Sequence, residues 1–346
     1  MNRGVRILSM LAVLLLLLIA CGDSGGGVED AAADGDAAAG GDAVDIAAVI
    51  KGLDNPFFGA MNDGIEAQAD ERGVPVTVQA AQDLDDTAGQ ADRLETLAGQ
   101  DFDCYIVNPI SQTNLVQPLV QLAEEGVPIV NIDSPVGEEA AADAGIEIAT
   151  YIGTDNVAAG RLGAEHMNEL LGGSGQVALV GGVEGDATSN ARLDGFREGA
   201  GDLEIVQTVA ADWDRETALT AAENILRANP DLGGLFAAND VMALGIAQAL
   251  RNADLIGDIV VIGVDGIEDA LDAIEQGGLT ATVSQYPYTI GQLSVDACVA
   301  AGDAELPATV DAPVQLVTPD NVAQAQENFP EPVADYDNPF ADLIGS

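Results

Sequence analysis

From Asp45 onward, short apolar runs alternate with stretches of helical period, and this alternation constrains the fold more than any other feature of the chain. Apolar runs fall at 46–50, 74–78, 104–107 and 127–132, with amphipathic stretches near 57–72, 87–99 and 112–125 between them. The pattern resumes with runs near 176–180, 203–209, 234–238, 259–264 and 279–283. Helical stretches lie near 156–171, 188–200, 215–229, 239–252, 267–276 and 288–301. A strand with no polar face must be covered on both sides, and strand–helix–strand succession builds parallel sheets with helices on both faces. About ten alternations exceed what one sheet usually carries, so the pattern predicts an α/β protein of two doubly wound lobes. The break falls near Gly153, where Tyr151-Ile152 end a short strand and Thr154 or Asp155 can cap the next helix. The Ala-, Glu- and Asp-rich stretch 133–149 reads as an irregular loop. Residues 320–346, with Pro330, Pro332 and Pro339, read as a polar tail that packs weakly.

Charge removes whole classes of partner. Eleven basic residues face 58 acidic ones, a net charge of −47. Nucleic-acid binding needs clustered Lys and Arg against phosphate and is ruled out; anionic lipid surfaces attract basic segments, so the charge also argues against docking on them. Disorder is not implied, because 48% of the residues are apolar and can fill a core. An acidic surface suits concentrated salt, where screening weakens self-repulsion. The sole lysine, Lys51, stands at the end of the first predicted strand.

The N-terminus reads as an export and anchoring signal. Arg3 and Arg6 precede an uncharged run from Ile7 to Ala20, too short to span a bilayer and typical of a signal-peptide core. It ends Leu18-Ile19-Ala20-Cys21, which resembles the lipobox of bacterial lipoproteins. That resemblance implies a signal peptide over 1–20 and a lipid on Cys21, anchoring the mature chain outside the cytoplasmic membrane. Residues 21–45, rich in Gly, Ala and Asp, read as a flexible acidic tether. Gly22-Asp23-Ser24-Gly25-Gly26 within it mimics hydrolase strings, but no strand precedes Ser24 and no helix follows it. Cys104, in a predicted strand, and Cys298, in a late helix, read as two small buried residues in a compartment that permits a bridge.

Nothing in the chain announces catalysis. There is no GxGxxG, no GK[ST] phosphate loop, one histidine (His166) and no cysteine cluster with zinc spacing. The expectation is a binding protein with no cofactor and no metal. In open α/β sheets ligands bind beyond the carboxyl ends of the strands, so those positions carry the information. They supply the carboxylates Asp133 and Asp265, the amides Asn55, Asn239 and Gln285, and the cations Lys51 and Arg192. The aromatics are Phe57, Phe58 and the only tryptophan, Trp213. Carboxylates accept from hydroxyls, Arg and Lys donate to them, and the C–H faces of a sugar ring lie flat on aromatic rings.

The body from about 45 to 318 resembles the ribose- and allose-binding branch of the type I periplasmic binding proteins. The resemblance rests on Asp54-Asn55-Pro56-Phe57-Phe58, Ile132-Asp133, Thr154-Asp155-Asn156, Arg192 with Gly195-Phe196, and Asp212-Trp213-Asp214-Arg215. It continues through Asn239-Asp240-Val241-Met242-Ala243-Leu244-Gly245, Gly263-Val264-Asp265-Gly266, and Gln285 before Pro287. It implies a three-strand hinge between one lobe of 46–154 plus 286–313 and another of 155–285 plus 314–319. Asn55, Asp133, Arg192, Asn239, Asp265 and Gln285 would then hydrogen-bond sugar hydroxyls, and Phe57, Phe58 and Trp213 would sandwich the ring. Lys51 and Trp213 match the allose type. Ser134, followed by Pro135, departs from both types and changes one ligand contact, leaving a pentose, a hexose or a cyclic polyol as the ligand. The implied protein is a monomeric, lipid-anchored extracytoplasmic solute-binding protein, not an enzyme, that delivers sugar to the permease of an ABC importer. The alternative is a receptor of the same fold feeding a chemoreceptor or sensor kinase. The lactose-repressor family shares the core, but here the signal and tether stand where its DNA-binding helices would be.

Overall fold

The computed structural model describes residues 44–344 except Asp303 and Asp335. The signal, Cys21 and the tether as far as residue 43 lie outside the described residues. The chain begins with β1 (Ile46–Ile50), α1 (Pro56–Arg72), β2 (Val76–Ala80), α2 (Thr87–Ala98), β3 (Cys104–Val107), α3 (Val116–Glu125), β4 (Ile129–Ile132), α4 (Glu138–Ala144) and β5 (Thr150–Thr154). It continues with α5 (Asn156–Leu170), β6 (Gly175–Gly181), α6 (Ala187–Gly199), β7 (Leu203–Ala210), α7 (Arg215–Ala228), β8 (Leu232–Ala237), α8 (Asp240–Asn252), β9 (Val260–Asp265), α9 (Glu268–Glu275) and β10 (Ala281–Gln285). It closes with α10 (Pro287–Ala301), β11 (Thr309–Ala312), β12 (Val314–Val317) and α11 (Val322–Asn328).

These strands form two six-stranded sheets, ordered β11-β5-β4-β3-β1-β2 and β12-β10-β9-β8-β6-β7. Every neighbouring pair is parallel except β10 with β12. The two orders are the same pattern, so β4 in one sheet occupies the place of β9 in the other, and β5 the place of β10. The chain leaves the first sheet after Thr154 and the second after Gln285. It crosses once more at Pro313, between β11 paired with β5 and β12 paired with β10.

Both faces of each sheet are covered, as the apolar runs require. Ile46, Ala48 and Ile50 of β1 enter one core cluster and Ala47 and Val49 enter another, the period-two alternation of a strand buried on two sides. A third cluster fills the second lobe. The two α/β lobes are thus the fold the alternation predicts.

Three local expectations are corrected. The stretch 133–149 is not wholly irregular: Glu138–Ala144 forms a short helix, started by Glu138 and Glu139 and closed by Gly145 at φ 71°. Alanine favours helix, acids suit the first turn and a left-handed glycine ends it, but seven residues are too few to show a period. Cys104 and Cys298 are not free: they form a disulfide, Cα–Cα 5.6 Å, that ties β3 to α10. The tail does not pack weakly. Val322 and Ala325 are buried against the second lobe, and Val333 packs there too. Phe340 is then fully buried in the first lobe, with Tyr336, Leu343 and Ile344 packed beside it. Asn338 donates to Asp296 Oδ2, a buried carboxylate that also accepts from Gln68 and Arg72 of α1. The tail therefore straps the two lobes together.

Phe340→Ala is expected to cost about 3–5 kcal/mol, the usual cost of emptying a buried aromatic site. Urea unfolding in molar salt measures it. A loss below about 1 kcal/mol would show that the strap is not part of the core.

Candidate binding site

The carboxyl ends of both sheets face a cleft of about 910 Å³ between the lobes, within the size range of small-molecule sites. On the first lobe, β1 runs out at Lys51. Its Nζ donates to Asp133 Oδ2 at 3.1 Å and to Ser134 Oγ at 2.5 Å, and lies 5.1 Å from the centre of the Phe58 ring. Asn55 caps α1 by accepting from the Phe57 amide at 3.0 Å, and Pro56 fits the first helical turn. That cap uses the carbonyl oxygen of the Asn55 side chain and leaves its NH2 for the cleft. Phe57 and Phe58 meet edge to face, 5.3 Å between ring centres. Asp133 sits at φ 59°, a backbone region that non-glycine residues seldom adopt.

On the second lobe, α5 and α6 approach closely enough to seat Arg192 below the cleft. A Cβ on Gly160 would collide with the Arg192 carbonyl, and one on Gly195 with that of Val157. The guanidinium donates to Asn156 Oδ1 at 2.8 Å, to the Ala238 carbonyl at 2.6 Å and to Asp265 Oδ1 at 3.2 Å. It also lies 5.8 Å from the Trp213 ring centre. Asn239 caps α8, accepting from the Met242 amide at 2.9 Å. Asp265 ends β9 at φ 132°. Burial pushes its carboxyl well above the ordinary carboxylate range, while Arg192 opposes the shift and the nearby Asp240 adds to it.

Ten of the eleven residues singled out from the sequence line this cleft; Gln285 does not. It stands behind Asp265 and donates to Oδ1 at 2.6 Å, beside a smaller cavity of about 450 Å³. The sequence reading missed the loop Ser111–Thr113 and Asp85, which also reach the cleft. They lie several residues beyond a strand or helix end, where no periodic signal marks them. Asn156, which orients Arg192, was visible only as part of the Thr154-Asp155-Asn156 string.

Each lobe thus offers one carboxylate paired with one cation and flanked by a cap amide, and aromatic rings stand on both sides. Such a site can orient a ligand that carries many hydroxyls and an apolar face. Among the described residues, no group of three His, Cys, Asp or Glu side chains is placed to hold a metal ion.

The chain belongs to the periplasmic binding protein family: the model described as periplasmic binding protein domain matches residues 46–305. Membership makes it an extracytoplasmic solute-binding protein rather than an enzyme. It is 38% identical to the D-allose-binding periplasmic protein of Escherichia coli K12, over 74% of this chain and 85% of that protein. It is 35% identical to the ribose import binding protein of Bacillus subtilis 168, over 78% and 85% respectively. A solved periplasmic solute-binding protein of an ABC transporter from Actinobacillus succinogenes, with bound D-allose, superposes with a TM-score of 0.76 at 30% identity. The match covers 81% of this chain and 99% of that one.

Proposed function

We propose that the cleft captures a monosaccharide or related cyclic polyol by closing its lobes and hands it to the permease of an ABC importer. The observation that carries this reading is the matched pair Lys51–Asp133 and Arg192–Asp265, one on each wall of the cleft. A carboxylate held by a cation keeps its remaining oxygen positions for hydroxyl donors. Phe57 and Phe58 on one wall and Trp213 on the other take the two faces of the ring. Gln285 serves the ligand through Asp265. The similarity to a D-allose-binding and a ribose import protein supports the ligand class. So do similar solved proteins with bound D-fucose, at 28% identity, and myo-inositol, at 26%. Ser134, short and uncharged, bonds to Lys51 rather than reaching far into the cleft, which leaves room for substituents on the ring.

The moving bodies are residues 46–154 with 286–313, and 155–285 with 314–319. A ligand touching both walls binds the closed form better than the open one and shifts the population toward it. The protein acts as a monomer, held outside the cytoplasmic membrane by a lipid on Cys21 and the tether that follows.

A thermal-shift panel in molar salt tests the reading, with D-allose, D-ribose, D-xylose, D-fucose, D-arabinose, D-galactose and myo-inositol. A true ligand at one hundred times its Kd adds about 2.7 kcal/mol of stability. Trp213→Ala should remove the shift. A folded protein that responds to no member of the panel would overturn the sugar assignment.

A further inference from the structure

The two ligand carboxylates occupy equivalent places, each at the end of the equivalent strand of its sheet, and each is held from behind. In the first lobe the holder is Asn131, two residues before Asp133 on β4. Its Nδ2 donates to the carbonyls of Val107 and Ser134, at 3.0 and 2.8 Å, and its Oδ1 accepts from the Val136 amide at 2.8 Å. Its neighbour across the sheet, Tyr151, donates to the Asp133 carbonyl at 2.6 Å. In the second lobe, the place of Asn131 is taken by Gly263, two residues before Asp265, and its neighbour across the sheet is Thr282. Gly263 has no side chain to offer. The space where its Cβ would stand is occupied by Oδ1 of Asp240, reaching in from α8. Asp240 is fully buried. Its carboxylate accepts from the Gly266 amide at 2.6 Å, the Ile267 amide at 3.1 Å and the Thr282 hydroxyl at 2.7 Å.

We infer that Asn131 and Asp240 are matched positioning residues, one for each lobe, that fix the turns presenting Asp133 and Asp265 to the ligand. Neither lines the cleft, so both act through the carboxylate they hold. The inference rests on the reading of Asp133 and Asp265 as ligand acceptors. The residue types are not interchangeable, and the turns say why. The first presents the Ser134 carbonyl and the Val136 N–H, with the Val107 carbonyl of β3 beside them, and an amide satisfies all three together. The second presents two N–H groups, both donating to Asp240 Oδ2, and a hydroxyl that donates to Oδ1, and a charged carboxylate strengthens all three bonds. Both Asp133 and Asp265 have positive φ, a conformation that persists only where the surroundings impose it.

Asn131→Asp turns two donations into carboxylate–carbonyl repulsion, and Asp240→Asn removes the charge that strengthens three hydrogen bonds; both preserve size, so they test the clamp without opening a cavity. The first readout needs no ligand: amide hydrogen exchange of the whole protein in molar salt. Asp240→Asn should speed exchange at Gly266 and Ile267, and Asn131→Asp at Val136, by about tenfold or more, with β1 and β8 amides unchanged. The second is the Kd for D-allose, or for whichever sugar of the panel the parent binds, expected to rise by about tenfold or more in each variant. A residue with a merely structural role would lower protection throughout and leave the Kd of the folded fraction unchanged; that result overturns the inference. Unaltered exchange at the named amides overturns it as well. A parent that binds no sugar removes the functional reading while the exchange experiment still decides the clamp. Where Asp240→Asn does not fold, Thr282→Val, which strips one donor from Asp240, carries the same two readouts.

Discussion

Arg192→Met is expected to lower stability by about 3–5 kcal/mol and to abolish sugar binding. The arginine is 5% exposed and its partner Asp265 6%. Removing one member of a buried pair leaves the other as an uncompensated buried charge, and that is the source of the large cost. The same substitution strips a donor from the Ala238 carbonyl and from Asn156. Salt should barely change the result, because ions do not reach the pair. The exposed Arg161–Glu198 contact at 3.8 Å, in contrast, is worth about 0–1 kcal/mol and is weakened by salt. pH should matter. Burial raises the Asp265 pKa and Arg192 restrains it, so in the variant the folded-state pKa climbs further above the unfolded value. The folded variant then holds a proton that the unfolded chain releases, and its stability falls as pH rises through the folded-state pKa. The deficit is therefore largest at alkaline pH and shrinks toward acid. Adding Asp265→Asn should recover much of the stability but no binding. Urea unfolding from acid to alkaline pH, with calorimetric titration of the sugar, measures all of this. A loss below about 1 kcal/mol at alkaline pH would show that Arg192 and Asp265 are not paired in the folded protein.

Removing the disulfide is the second large effect. Cys104 and Cys298 stand 194 residues apart in sequence, so the bridge closes a very long loop in the unfolded chain. The chain-entropy model gives about 5 kcal/mol for such a loop, and native bridges generally contribute about 2–5 kcal/mol. Replacing both cysteines by serine should cost at least about 3 kcal/mol, with two hydroxyls now buried where sulfur was. Both sulfurs are enclosed, Cys104 fully and Cys298 at 2% exposure, so a reductant should act slowly on the folded protein and quickly in denaturant. Denaturation midpoints with and without reductant, beside the double-serine variant, check this. Superimposable curves would mean that the bridge does not form.

The walls of the cleft were legible because strands in a parallel sheet are apolar and their ends are not. Lys51 and Asp265 follow or end a run that burial forces to be apolar, so the first polar residue marks the sheet's edge; Asp133 lies one residue past β4, whose run already carries the buried Asn131. Asn55 and Asn239 could be read as helix caps or as ligand amides; as caps they spend one oxygen each and keep their donors for the cleft. What the sequence did not disclose lies behind these edges. Gln285 alternates with its strand neighbours in a way that gives a face but not a partner. Asp240 follows a cap residue and reads as ordinary first-turn acid, and only the close approach of α8 to Gly263 shows where its carboxylate goes. Phe340 stands among prolines and acids with no period to place it, and the cysteines carry no local sign of their pairing. All four are contacts between distant segments, which local pattern does not encode.

Val44 packs on the same core cluster as Leu343 and Ile344. The two ends of the folded body therefore emerge from one lobe, although the chain has visited the other in between. Pull on either end and the load is borne by that lobe's core, with Phe340 as its lock at the C-terminal side. Force applied through a tag or a fused reporter at either end of the described body enters that lobe's core and does not have to pass across the cleft.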